Sequence, residues 1–233
     1  MAVRQTLATA LLMAALAGCA ELSAERPLFP AADSGPPPIA EGVWIAISEE
    51  CPARNIPHRR FPQACAPMEI RRQDDGAWRV SFRLDLVSDM SAHEREREAD
   101  DPNNGPYRMV LAPAVERAIA SDSYAPLYVA EITPAERQTQ SVGYAVLAPI
   151  GPMPTSEMRA IVSIGCASIL RDGPIEGITP RYETRTDADA VEHQDLTGCV
   201  ASTQAAVREA VRRAVIENLD ELSERRFVLV RAD

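Results

Sequence analysis

Met68-Glu69-Ile70-Arg71-Arg72-Gln73-Asp74-Asp75-Gly76-Ala77-Trp78-Arg79-Val80-Ser81-Phe82-Arg83-Leu84 is the stretch from which the rest of the chain is read. Trp78, Val80, Phe82 and Leu84 alternate with Arg79, Ser81 and Arg83, which is the period of a half-buried strand. Met68–Arg72 is strand-like as well, and Asp-Gly between the two supplies the positive-φ pair that a tight hairpin turn needs. A hairpin with one apolar face commits this part of the chain to an antiparallel sheet, because that face must be covered.

Short apolar runs on either side extend the sheet. Residues 42–47, 107–111, 127–132, 142–150 and 227–231 read as strands, as does 159–169, which carries Cys166. The first opens with Gly42-Val43-Trp44, an opening that also occurs in lipocalins, but no further lipocalin motif follows. Residues 113–120 read as a helical turn with Pro113 in first position. Thr133-Pro134-Ala135-Glu136 has capping-box form. Residues 91–106 are highly polar and read as a solvated loop. A calcium loop fails there, because Pro102 takes the third ligand position and Leu111 stands where the twelfth-position Glu belongs. Residues 171–195 are polar and turn-rich and also read as loop.

One strong helix is expected over residues 201–222. Val207, Val211, Val215, Leu219 and Leu222 recur at helical spacing, Glu209 and Arg213 form an i,i+4 pair, and Ser202 or Thr203 can cap the start. Its small apolar stripe suits packing on a sheet. The expected fold class is therefore α+β: an antiparallel sheet packed by one long C-terminal helix and stapled by two disulfides.

The N-terminus gives an address. Residues 1–4 are a short basic region, and 6–16 are apolar and too short for the roughly 20 residues of a permanent span. Leu16-Ala17-Gly18-Cys19 then reads as the lipobox of a bacterial lipoprotein signal. On this reading 1–18 is a signal peptide, Cys19 carries the lipid, 19–40 is a Pro-rich tether and 41–233 is a single domain. The tether holds five of the nineteen prolines and, if semi-extended, lifts the domain roughly 40–60 Å from the bilayer. Ala20 rather than Asp after the cysteine favours the outer membrane, facing the periplasm. Two or three acyl chains hold a protein stably, at about 0.8 kcal/mol per buried CH2.

Four further cysteines, Cys51, Cys65, Cys166 and Cys199, are an even number in an oxidising compartment and read as two disulfides. Three connectivities are open. Cys51–Cys65 with Cys166–Cys199 is favoured because each closes a local loop, worth about 3 and about 4 kcal/mol on a chain-entropy model. A zinc site lacks any C-x2-C or H-x3-H spacing, so no metal is expected.

The chain contains no lysine, and beyond the signal 23 arginines face 34 acidic residues, leaving a net charge of −11. That excludes nucleic acid, which needs a basic face. Neither G-x-S-x-G nor H-E-x-x-H, a Walker loop or a dinucleotide fingerprint occurs. His58, His93 and His193 fall in polar stretches, the basic His58-Arg59-Arg60 reads as exposed loop, and nothing marks Ser163 or Ser168 as a nucleophile. No catalytic residue and no cofactor are expected.

Arg26-Pro27-Leu28-Phe29, Ala32-Asp33, Gly42-Val43-Trp44, Cys51 and Phe61-Pro62-Gln63-Ala64-Cys65-Ala66 form one block, and Cys166, Cys199 and the Ala-rich helix another. This order resembles hypothetical lipoproteins of GC-rich Gram-negative bacteria. The resemblance implies the anchor and the disulfides and brings no catalytic residue. The expected function is a non-enzymatic binding or accessory module of the cell envelope, with an envelope protein or a small ligand as partner. The alternative is a hydrolase of cell-wall or lipid material, which requires a pocket gathering Asp, Glu or His with perturbed pKa values.

Overall fold

In the computed structural model, described for residues 20–31, 37–52, 59–101, 105–115, 127–135, 142–161, 163–186, 192–217 and 226–231, the dominant element is a closed barrel. In chain order the strands are β1 (Glu21–Ala24), β2 (Gly42–Ile47), β3 (Met68–Arg72), β4 (Trp78–Phe82), β5 (Tyr107–Val115), β6 (Leu127–Pro134), β7 (Val142–Pro149), β8 (Glu157–Ile161), β9 (Ile178–Thr186), β10 (Glu192–Ala201) and β11 (Arg226–Arg231). The helices are α1 (Ala92–Asp100), α2 (Cys166–Ile169) and α3 (Gln204–Glu217).

Strands β2 to β8 pair antiparallel in sequence order, β11 pairs with β8, and β11 returns to β2 to close eight strands. Closure removes the open edges an eight-stranded sheet would otherwise present. The other edge of β7 is shared. Val146–Pro149 pairs with β8, while Val142 and Gly143 pair with β1. From there β1 leads into a side sheet, parallel to β10, with β9 outermost.

Two apolar faces follow from the alternation. Inward positions such as Trp44, Ile70, Trp78, Val80, Tyr107, Leu111 and Phe227 form the barrel core. Outward positions on β3 and β4 are Glu69, Arg71, Arg79 and Ser81, which are polar. On β5 to β7 the outward positions are apolar instead: Val110, Ala112, Val129, Tyr144 and Val146 pack beneath β1, α2 and α3. A third cluster joins Ile45 and Val228 to the Cys51–Cys65 loop.

The expected α+β class is therefore overturned: the protein is mostly β. Its sheet closes on itself, and the C-terminal helix is a shorter element on the barrel's outer wall. That helix starts at Gln204, with the Thr203 hydroxyl accepting the Ala206 N–H, because Ala201 ends β10; residues 218–222 lie outside the described residues. The Glu209–Arg213 pair is formed at 3.0 Å.

Other local readings also change. Residues 171–195 contain β9 and the first four residues of β10, whose outer halves are exposed on both faces and so lack apolar alternation. Residues 92–100 form α1, held by a capping box between Ser91 and Glu94 rather than by an apolar stripe. Pro113 lies inside β5 beside a register shift, and Thr133 and Pro134 end β6; residues 116–120 and Glu136 lie outside the described residues. Cys166 starts α2 instead of lying in a strand. The 68–84 hairpin forms with a different turn from the one expected: Gly76 alone has positive φ, at 87°, and its N–H donates to the Gln73 carbonyl. The 19–40 span, expected as tether, supplies β1 and buries Phe29 and Ile39.

Candidate functional site

The inward side chains of the barrel are not evenly large. Antiparallel pairing sets Ala130 of β6 opposite Ala145 of β7, and Ala160 of β8 lies opposite Leu147 on the next ladder. Three adjacent strands thus point short side chains at the barrel axis. The space they leave is a cavity of about 50 Å3. Met68, Met109 and Met158 form part of its wall, completed by Ile70, Val80, Ile132, Leu147 and Phe227, so the lining is wholly apolar.

One end of the barrel is filled. Trp44, Trp78 and Leu111 are fully buried there; the Trp44 indole N–H donates to the Ala40 carbonyl at 3.1 Å, while that of Trp78 has no acceptor among the described residues. Tyr128 joins this end, its hydroxyl 3.7 Å from the Met153 sulfur. At the other end Phe82 and Ile132 are only partly buried and form the rim. An apolar cavity of this kind stays dry, and about 50 Å3 is roughly a third of a cavity that takes benzene. Methionine is unbranched and adapts its rotamers readily, so the Met wall can yield to a slender apolar group.

Carboxylates with raised pKa values lie elsewhere. Glu131, 1% exposed, points outward from β6 beneath the N-terminal segment. Its Oε2 accepts the Leu28 and Phe29 N–H groups at 2.7 and 3.2 Å and the Tyr144 hydroxyl at 3.3 Å; Oε1 has no partner among the described residues. Burial pushes its carboxyl up, the three hydrogen bonds opposing. Burial likewise pushes the Tyr144 hydroxyl far up, reinforced by the Glu131 charge. Phe29 meets Tyr144 edge-on at 6.5 Å between centroids, and the Arg208 guanidinium lies 5.3 Å over Phe29. Together these contacts bolt the N-terminal segment to the barrel and form no open cleft. Glu21 of β1 is pushed up to about 7 by burial, with a Ser163 hydrogen bond pulling the other way.

A surface cleft of about 780 Å3 lies between the N-terminal segment and the side sheet. Its charged members are Glu25, Arg26 and Arg181, of which Arg181 pairs with Glu25 at 3.4 Å.

The two disulfides join Cys51 to Cys65 and Cys166 to Cys199. Cys19 and His58 lie outside the described residues. His93 is on α1 and His193 on β10, and they are not brought together. Ser168 donates to the Gly165 carbonyl at the start of α2. Among the described residues no group of His, Cys, Asp or Glu is placed to hold a metal, and no helix is long and apolar enough to cross a membrane. Sequence reasoning missed the inward alanines, although their alternation with Tyr144 and Glu131 was visible once the strands were phased. No family model, no curated protein and no solved structure matches this chain.

Proposed function

We propose that this chain is an envelope lipoprotein, acylated on Cys19 and anchored to the outer membrane facing the periplasm. There it works as a non-enzymatic binding module whose barrel accepts one slender apolar chain. The lipobox supports the anchor, and two formed disulfides suit an oxidising compartment. The observation that carries the binding reading is the wholly apolar cavity walled by the inward alanines of β6 to β8 together with Met68 of β3, Met109 of β5 and Met158 of β8. An eight-stranded barrel is the size at which the interior is either filled by side chains or holds one small ligand. Among the described residues no acid, base or nucleophile lines this cavity, so its walls offer burial.

The test is titration of the soluble domain with n-alkyl alcohols of rising length, followed by tryptophan emission. Affinity is expected to rise roughly fourfold per methylene, the equivalent of about 0.8 kcal/mol, until the cavity is full. Ala160→Phe, which fills the cavity, is expected to abolish the response. Failure of every chain length to bind, or an unchanged response in Ala160→Phe, would overturn the proposal.

A further inference from the structure

Strand β1 begins two residues after Cys19, and the single residue between them is already fixed. The Ala20 carbonyl accepts the Cys166 N–H at 2.6 Å, and the Leu22 N–H donates to the Ile164 carbonyl at 2.8 Å. On the other side Glu21, Leu22 and Ser23 run in register with Gly198, Cys199 and Val200 of β10. Cys166 and Cys199 are themselves joined by a disulfide, so the two elements that grip the start of β1 are covalently tied. One trans peptide spans 3.8 Å between Cα atoms. That is the whole length available between the acylation position and the folded body.

The direction of approach is also set. Because β1 runs parallel to β10, the chain enters β1 from the side of the β9–β10 hairpin tip. The outer half of that hairpin, Arg181 to Thr186 on β9 and Glu192 to Asp195 on β10, is exposed on both faces and projects from the body. It carries Arg181 and Arg185 among Glu183, Glu192 and Asp195, with Tyr182 55% exposed between them. Charges of both signs around a tyrosine suit a layer that presents phosphate and amine together, because tyrosine favours the interface and neither sign is excluded.

We infer that the domain lies directly on the bilayer, with the outer half of the β9–β10 hairpin against a zwitterionic lipid headgroup layer, and is not held away from it by a tether. The inference rests on the reading of Cys19 as the acylated residue. The open rim of the barrel then faces away from the membrane, since β1 runs antiparallel to β7 and β7 runs from the rim towards the filled end.

The experiment uses the full acylated protein, purified from membranes and reconstituted in phosphatidylcholine vesicles carrying a headgroup nitroxide. Trp44 and Trp78 are fully buried and provide a constant background. Tyr182→Trp is expected to lose most of its added fluorescence to the quencher. Asp85→Trp, in the exposed turn after β4 at the rim end, is expected to keep it. A Gly-Ser insertion of about ten residues between Cys19 and Ala20, roughly 17 Å in r.m.s. span, is expected to restore the Tyr182→Trp signal. Equal quenching at both positions in a protein whose intact mass includes acyl chains would overturn the apposition alone. An intact mass without acyl chains would overturn the acylation reading and the apposition with it.

Discussion

Glu131 is a carboxyl taken out of water and given three donors on one oxygen only, and it sets a sign for the pH response. Its folded pKa is raised, so the folded state keeps the proton after the unfolded chain has released it. The contribution to stability is then full below the ordinary carboxylate value and is lost as pH rises through the raised one. Glu21 acts in the same direction, with its loss centred near 7. Thermal stability is expected to fall between pH 5 and pH 8, and the double variant E21Q/E131Q is expected to flatten that slope in a pH series of melting curves; an unchanged slope would refute the assignment. Glu209 runs the opposite way. Arg212 and then Arg213 hold it down to about 2, so its part is lost only on strong acidification, and it is small because the half-buried pair is still screened by solvent. Little of this was legible beforehand. Leu127-Tyr128-Val129-Ala130-Glu131-Ile132 reads as a strand with one acid in it, and the donors at Leu28 and Phe29 lie about a hundred residues upstream. Periodicity reports which face a residue takes and not which distant segment will cover it. The cysteine pairing was legible because both links are local in sequence, with separations of 14 and 33.

At the scale of elements, strands with one wet and one dry face could be read and the others could not. β2, β3 and β11 lie where alternation or a short apolar run puts them, and the 68–84 hairpin forms. β9 and β10 were hidden because their outer halves have no dry face. α1 was hidden because its start signal, Ser91 with Glu94, precedes a run with no apolar stripe. The hairpin turn offers a sharp test. Gly76 sits at φ 87°, and a Cβ there would lie 3.2 Å from the Ala31 carbonyl oxygen, so the turn is also a contact with the N-terminal segment. Gly151 has nearly the same φ, 89°, with nothing within 4 Å of the added atom. Gly76→Ala is expected to cost about 1–2 kcal/mol from backbone conformation together with the further cost of displacing that carbonyl. Gly151→Ala should show the conformational part alone. Denaturant melts of the two variants check this, and equal losses would mean that the N-terminal segment does not press on the turn.

Closure is a property of the whole molecule, and no local pattern announces it. The barrel depends on β6 meeting β7 on one side and β11 returning to β2 on the other, the latter across nearly the full chain length. β5 to β7 are apolar on both faces because one faces the barrel core and the other lies beneath β1, α2 and α3, and from sequence such runs are equally consistent with an open sheet covered by a helix. The cavity follows from closure, since Ala130, Ala145 and Ala160 share one space only once their strands are neighbours around a ring. The most direct measurement is a methionine-methyl NMR titration of the soluble domain with an n-alkyl alcohol. Met68, Met109 and Met158 line the cavity, whereas Met153 is 48% exposed and Met90 belongs to none of the barrel's walls. Occupancy of the barrel interior is expected to shift the first three methyl signals together, saturably and with one midpoint, and to leave those of Met90 and Met153 in place. A response confined to Met153 or Met90, or none at any concentration, would mean that the barrel is a filled scaffold and that binding, if any, takes place elsewhere.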